Sequence, residues 1–163
     1  IKRIREYYKS PPTEVSQIIA GSVVNVRTDI AKISVEKTKQ SLETVRRLLS
    51  TYQEEFLQIA ESISAITLII DQNLLENISS PFKGETILEK EINLAAIIIH
   101  SPDAIIKTPG SITAFYNQVS RRHVNIEDTV SCFTDTIIVV KMKDVGQSFA
   151  ALTDLISEER KRK

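Results

Sequence analysis

An α+β fold made of two copies of one strand–helix–strand–strand–helix unit is what this 163-residue sequence predicts. Three observations lead there. The stretches SVVNVRTDIAKISVEK (Ser22 to Lys37) and TILEKEINLAAIIIHS (Thr86 to Ser101) superpose at a constant shift of 64 positions, placing Ile30 on Leu94, Ala31 on Ala95, Ile33 on Ile97 and Val35 on Ile99. Each is followed by a segment whose apolar residues recur at helical spacing. Two short strand-like segments and a second helical segment then close each copy.

The elements follow in order. IKRIREYY and TEVSQIIA read as helical on either side of the break at Pro11 and Pro12, an N-terminal helical extension over 1–20 without counterpart in the repeat. Ser22 to Lys37 reads as one strand, a polar break and a second, more apolar strand, and so does Thr86 to Ser101. SLETVRRLLSTY places Leu42, Val45, Leu48, Leu49 and Tyr52 on one stripe, with Arg46 and Arg47 opposite; SITAFYNQV does the same with Ile112, Phe115 and Val119. FLQIAESI and VNIEDTVS alternate as half-buried strands do, matching Leu57, Ile59 and Ile63 to Val124, Ile126 and Val130 at a shift of 67. SAITLIID and DTIIVVKMK are rich in β-branched residues and read as strands. A helix capped by Asp71 carries Leu74, Leu75 and Ile78, and a last helix carries Val145, Phe149, Leu152 and Ile156.

That order is the split βαβ, or ferredoxin-like, arrangement. The second copy has no strand after its last helix, and SVVNVR at the other end of the chain is the candidate to replace it. The expectation is two ferredoxin-like (βαββαβ) units interlocked by strand exchange, since separating them would leave an unpaired edge. The first unit spans 21–92, of which 21–27 complete the second unit's sheet; the second spans 93–159, and 160–163 form a basic tail.

Composition narrows function by exclusion. Lys plus Arg and Asp plus Glu number 21 each, so no net field draws the chain to nucleic acid or an anionic membrane. No basic stretch is interleaved with aromatics as a nucleic-acid surface would be, and SRRH reads as a helix end. The tail RKRK suits the negative end of a helix dipole. One cysteine, Cys132, excludes an internal disulfide, and His100 and His123 show no metal-ligand spacing, so no metal and no cofactor are expected. No nucleophile–base constellation appears, so a non-enzyme is expected. No apolar run reaches membrane-spanning length and the start IKRIREYYK is charged, which makes a soluble cytoplasmic protein the default. A chain starting on Ile1 rather than Met reads as a trimmed piece of a longer one.

The candidate site is the stretch IIKTPGSITAFYNQV. Thr108 can cap the following helix, Pro109 suits its first position, and Gly110 and Ser111 then present backbone N–H groups where a carboxylate could approach without a Cβ in the way. Asn125 on the next strand offers an amide. The same Thr-Pro-Gly is equally a sound helix start with nothing bound. Glu61 and Asp128 stand at one repeat position, in phase with the apolar faces of their strands. Either they reach toward a ligand ammonium as second-layer residues, or a bulge or strand end turns them outward.

With its context, TPGSITAFYNQVSRRHVNIED followed by TIIVVKMK resembles an ACT domain, and the tandem order resembles the paired ACT region of aspartokinases, over about Ser22 to Glu159. The resemblance implies a non-catalytic regulatory module that binds an amino acid or related metabolite at an ACT–ACT interface. Ligand contacts would come from Thr108, Pro109, Gly110, Ser111, Ile112, Asn125 and Ile126. Partners would be a second copy of the chain and an amino-acid biosynthetic enzyme, with lysine, threonine or another aspartate-family product as first candidates by analogy. No kinase motif is present, and VEKTKQSLE (Val35 to Glu43) lacks the glycine the family places before the first helix. That loss favours the alternative, a structural module that dimerises or docks a partner without a ligand.

Overall fold

The computed structural model of the chain describes residues 12–82, 84 and 86–162; the helical reading of IKRIREYY lies outside them. Helix α1 (Thr13–Gly21) buries Val15, Ile18, Ile19 and Ala20, a stripe at helical spacing. Its last carbonyls are satisfied from two sides. The Ser22 hydroxyl donates to the Ile18 carbonyl at 2.8 Å, while Arg160 donates from Nε to the Ala20 carbonyl at 2.9 Å and from Nη2 to that of Ser22 at 3.0 Å. Gly21 ends the helix because a Cβ there would sit 2.7 Å from Cγ of Pro102.

Strand β1 (Val23–Glu36) and strand β4 (Ile87–His100) are each one uninterrupted strand of 14 residues, not two strands with a polar break. The breaks are single left-handed residues, Asp29 at φ 55° and Asn93 at φ 57°. Asp and Asn tolerate that conformation best among non-glycine residues, so a polar residue inside an apolar pattern can turn a strand without ending it. The two positions stand 64 apart, the repeat the sequence carries.

Between these strands lie α2 (Lys39–Thr51), β2 (Leu57–Glu61), β3 (Ala65–Asp71) and a short α3 (Leu75–Ser79). Thr38 and Ser41 form a reciprocal capping box at the start of α2. Its buried face is narrower than expected: Val45 and Leu48 are buried, whereas Leu49 is exposed. Asp71 does not cap α3. Its carboxylate accepts from Nε and Nη2 of Arg27 at 2.8 and 2.7 Å, and this hydrogen bonding raises the Arg27 pKa further above its already high value.

After β4 come α4 (Ser111–Ser120), β5 (Asp128–Cys132), β6 (Asp135–Lys141) and α5 (Val145–Lys161). The basic tail therefore begins inside α5, and the exposed Arg160 reaches back to the carbonyl at the end of α1. Phe149 is 37 % exposed, so only Leu152 and Ile156 of the expected last stripe are fully buried.

The strand order is β2–β3–β1–β4–β6–β5, with β1/β3, β2/β3 and β5/β6 antiparallel. Two compact units emerge: a central unit, 27–95, and a terminal unit whose described residues are 12–26 and 96–162. The extended segment Val23 to Val26 thus groups with the unit that holds Val139. In the central unit Ala31, Ile33 and Val35 meet Ile66, Leu68 and Ile70 of β3 and Phe82 in one core. The core of the terminal unit joins Ile97, Ile99, Ile138 and Val140 of the sheet to Ile19 of α1, Phe115 of α4 and Leu152 of α5.

The register corrects one expectation. Leu57 faces Ile70 and Asp128 faces Val139, and β3 and β6 begin 70 positions apart at Ala65 and Asp135, so the paired positions of β2 and β5 are offset by 70 rather than 67. Val124 and Ile126 precede β5 and pack on the core from the connecting segment. Ile63, expected on an apolar face, sits in the β2–β3 turn and is 98 % exposed. Apolar alternation in loops that lie against a core mimics a strand; pairing decides the register.

Candidate ligand site

The loop before α4 is built differently from a plain cap. A 3₁₀ turn at Asp103–Lys107 is closed by Thr108, whose hydroxyl donates backward to the Ala104 carbonyl at 2.8 Å. Thr108 is therefore not the N-cap, and Pro109 is not in the first helical position. The N-cap is Gly110, at φ 92°, and the helix starts at Ser111. A φ in that range costs a residue with a Cβ about 1–2 kcal/mol, so glycine is required by the turn itself. A Cβ at Gly110 would meet nothing within 4 Å. Gly110→Ala is accordingly expected to lower stability by about 1–2 kcal/mol through backbone strain alone, measured by urea unfolding.

Pro109 and Gly110 form one end of a groove of about 330 Å³ within the terminal unit. From α4 and its C-cap it is lined by Thr113, Asn117 and Arg121, spaced four residues apart, with Ala114 and Gln118 beside them. Helix α1 contributes Val15 and Ile19, and α5 contributes Leu155, Glu158, Glu159 and Arg162. The Arg122 side chain reaches Asp154 at 3.4 Å, tying the end of α4 to α5. Glu159 is 2 % exposed and fully engaged: it accepts from the Ser16 hydroxyl of α1 and from Arg162 Nη1 at 2.7 Å. Paired on both oxygens, this buried carboxylate fastens α1 to α5. The side chains of Arg121 and Glu158 are exposed and make no hydrogen bond or ion pair among the described residues.

The remaining expected contacts are placed apart from the groove. The Ser111 side chain is buried, its hydroxyl donating to the Thr108 carbonyl at 3.2 Å, and Ile112 and Ile126 pack on the core. Asn125 is exposed and donates from Nδ2 to Glu127 Oε1 at 3.0 Å. Glu61 and Asp128 are not equivalent. Glu61 ends β2 and pairs with Lys37, while Asp128 opens β5 and accepts the Thr129 N–H at 2.7 Å. The strand-end reading accounts for both. The groove residues Asn117, Arg121 and Glu158 were missed because only a third wall turns them into a site. The available signal was the apolar stripe of TEVSQIIA, which had to dock somewhere.

Among the described residues no group of three or more His, Cys, Asp or Glu could hold a metal ion, and no helix is long and apolar enough to cross a membrane.

Element order and sheet define the class: an α+β protein with one six-stranded sheet, in which the order strand–helix–strand–strand–helix runs twice along the chain. No protein-family model matches the chain, and no curated protein matches it. Solved structures do share its fold. The regulatory subunit of aspartate kinase from Thermus thermophilus, in a ligand-free form, has TM-score 0.67 at 11% identity over 81% of this chain and 95% of that one. Aspartate kinase from Synechocystis has TM-score 0.70 at 17% identity over 85% of this chain and 27% of that one. Aspartate kinase from Clostridium acetobutylicum has TM-score 0.63 at 16% identity over 83% of this chain and 34% of that one. The chain thus spans about a third of the length of these full kinases. At such identities the likeness is one of fold, and the resemblance read from the residues holds at that level.

Proposed function

We propose that the chain is a non-catalytic regulatory module that binds an amino acid or a related small metabolite and transmits the binding as a change in packing. Two things support this. The fold is that of regulatory regions of aspartate kinases, including one whose enzyme is described as allosteric. The observation that carries it further is the left-handed Gly110 beside a groove of about 330 Å³ with mixed polar and apolar walls, within the size range of small-molecule sites. Pro109 and Gly110 would shape the rim, and Thr108, Ser111, Ile112, Asn125 and Ile126 would add contacts only where another ACT unit closes over it.

The same proposal covers organisation. Residues 21–92 and 93–159 would be the two ACT units, with 21–27 exchanged into the second, as the grouping of Val23 to Val26 with the terminal unit supports. Residues 1–20 extend it. The working form would be a cytoplasmic homo-oligomer that regulates an enzyme of amino-acid synthesis. Ligand bias between two packing arrangements is what would make it allosteric.

A thermal-shift screen against the twenty amino acids tests the reading. A true ligand at a hundredfold excess over its Kd adds about 2.7 kcal/mol of stability, a rise of several degrees in Tm. No shift with any amino acid would overturn it.

A further inference from the structure

Within that metabolite-sensing reading, on which this inference rests, we propose that the groove between α1, α4 and α5 is the binding site and that its ligand is a free α-amino acid with an aliphatic side chain. Two charges of opposite sign, Arg121 and Glu158, line the groove without a partner among the described residues. An α-amino acid brings the complementary pair: its carboxylate accepts from the Arg121 guanidinium and its ammonium donates to the Glu158 carboxylate. The amides of Asn117 and Gln118, which also line the groove, supply further donors and acceptors.

The rest of the wall selects the side chain. Val15, Ile19, Ala114 and Leu155 are apolar. The two other charges in the groove, Glu159 and Arg162, already hold each other and Ser16. A charged ligand side chain laid along this wall would lose water without gaining a partner; an aliphatic one would gain burial. The groove holds the volume share of about eleven liquid-water molecules. Helix α1 belongs to no repeat copy, so the site is specific to the terminal unit and depends on the N-terminal extension.

Isothermal titration calorimetry on the full chain tests this with L-leucine, L-isoleucine, L-valine, L-methionine, L-lysine and L-aspartate. 4-Methylpentanoate, which lacks the ammonium, and 3-methylbutylamine, which lacks the carboxylate, are added as probes. At least one aliphatic amino acid is expected to bind, lysine and aspartate at least about tenfold more weakly, and both truncated probes weaker by a similar factor. Arg121→Ala and Glu158→Gln are each expected to weaken that binding at least about tenfold while leaving Tm unchanged, since both side chains are exposed and have no partner among the described residues. Binding that is equal in wild type and both variants would place the site elsewhere and leave the sensing reading standing. Binding of lysine or aspartate in preference to the aliphatic set would overturn the ligand class alone. Absence of binding by every amino acid would overturn both.

Discussion

Phe115→Ala is expected to cost about 3–5 kcal/mol of stability, the largest effect of any single truncation in the terminal unit. Phe115 is fully buried on α4, where it meets sheet residues Ile97 and Ile138 and helix residues Val119 and Leu152 in one cluster. Truncation removes the transfer free energy of the ring and leaves a cavity that three helices and a sheet cannot collapse into without moving one another. Urea unfolding should show a lower midpoint at an unchanged slope. Phe133→Ala is the control. Phe133 lies in the β5–β6 turn at 77 % exposure, so the same deletion there should change stability by no more than about 0.5 kcal/mol. A loss below about 1 kcal/mol for Phe115→Ala would mean that α4 is not seated on the sheet as described.

Ile19→Asp is expected to release α1 from the helix layer. Ile19 is fully buried, and its neighbours Val15 and Ile18 are nearly so. Each of the three contributes about 1.5–3 kcal/mol of burial, while an unpaired carboxylate in that place costs several more. Detachment of the helix is then the cheaper state, and the loss saturates at the value of its docking. The amides of α1 should lose hydrogen-exchange protection while those of β6 keep theirs. Any stabilisation by amino acids should vanish, because the groove loses one of its three helical walls. Ile19→Val, which keeps the shape, should cost only about 0.5–1.5 kcal/mol and preserve the ligand response. An α1 that stays protected in Ile19→Asp would contradict its place in the core.

The repeat was readable because its strongest residues are core residues: Ile33 and Ile97 are both fully buried, 64 positions apart. Left-handed Asp29 and Asn93 were visible only as a polar break, since nothing local distinguishes a residue that bends a strand from one that ends it. The register of β5 was misread for a different reason. Val124 and Ile126 alternate like strand residues but reach the core from a connection, so periodicity marked burial and not pairing. At the site, Gly110 was legible as a special backbone position, whereas Thr108 bonds backward to Ala104 instead of capping α4. Arg121 and Glu158 escaped notice because charged helix faces are usually solvated; what singles them out is an apolar helix docked beside them, a tertiary fact.

The proposed interlocking of the two halves is tested most directly by cross-strand nuclear Overhauser contacts from the backbone of Val23 to Val26. The terminal unit contains both this segment and 96–100 of β4, and contacts between the two are predicted. Contacts running from Val23–Val26 only to residues of 27–95, or none at all, would contradict the exchange of the front strand into the rear unit.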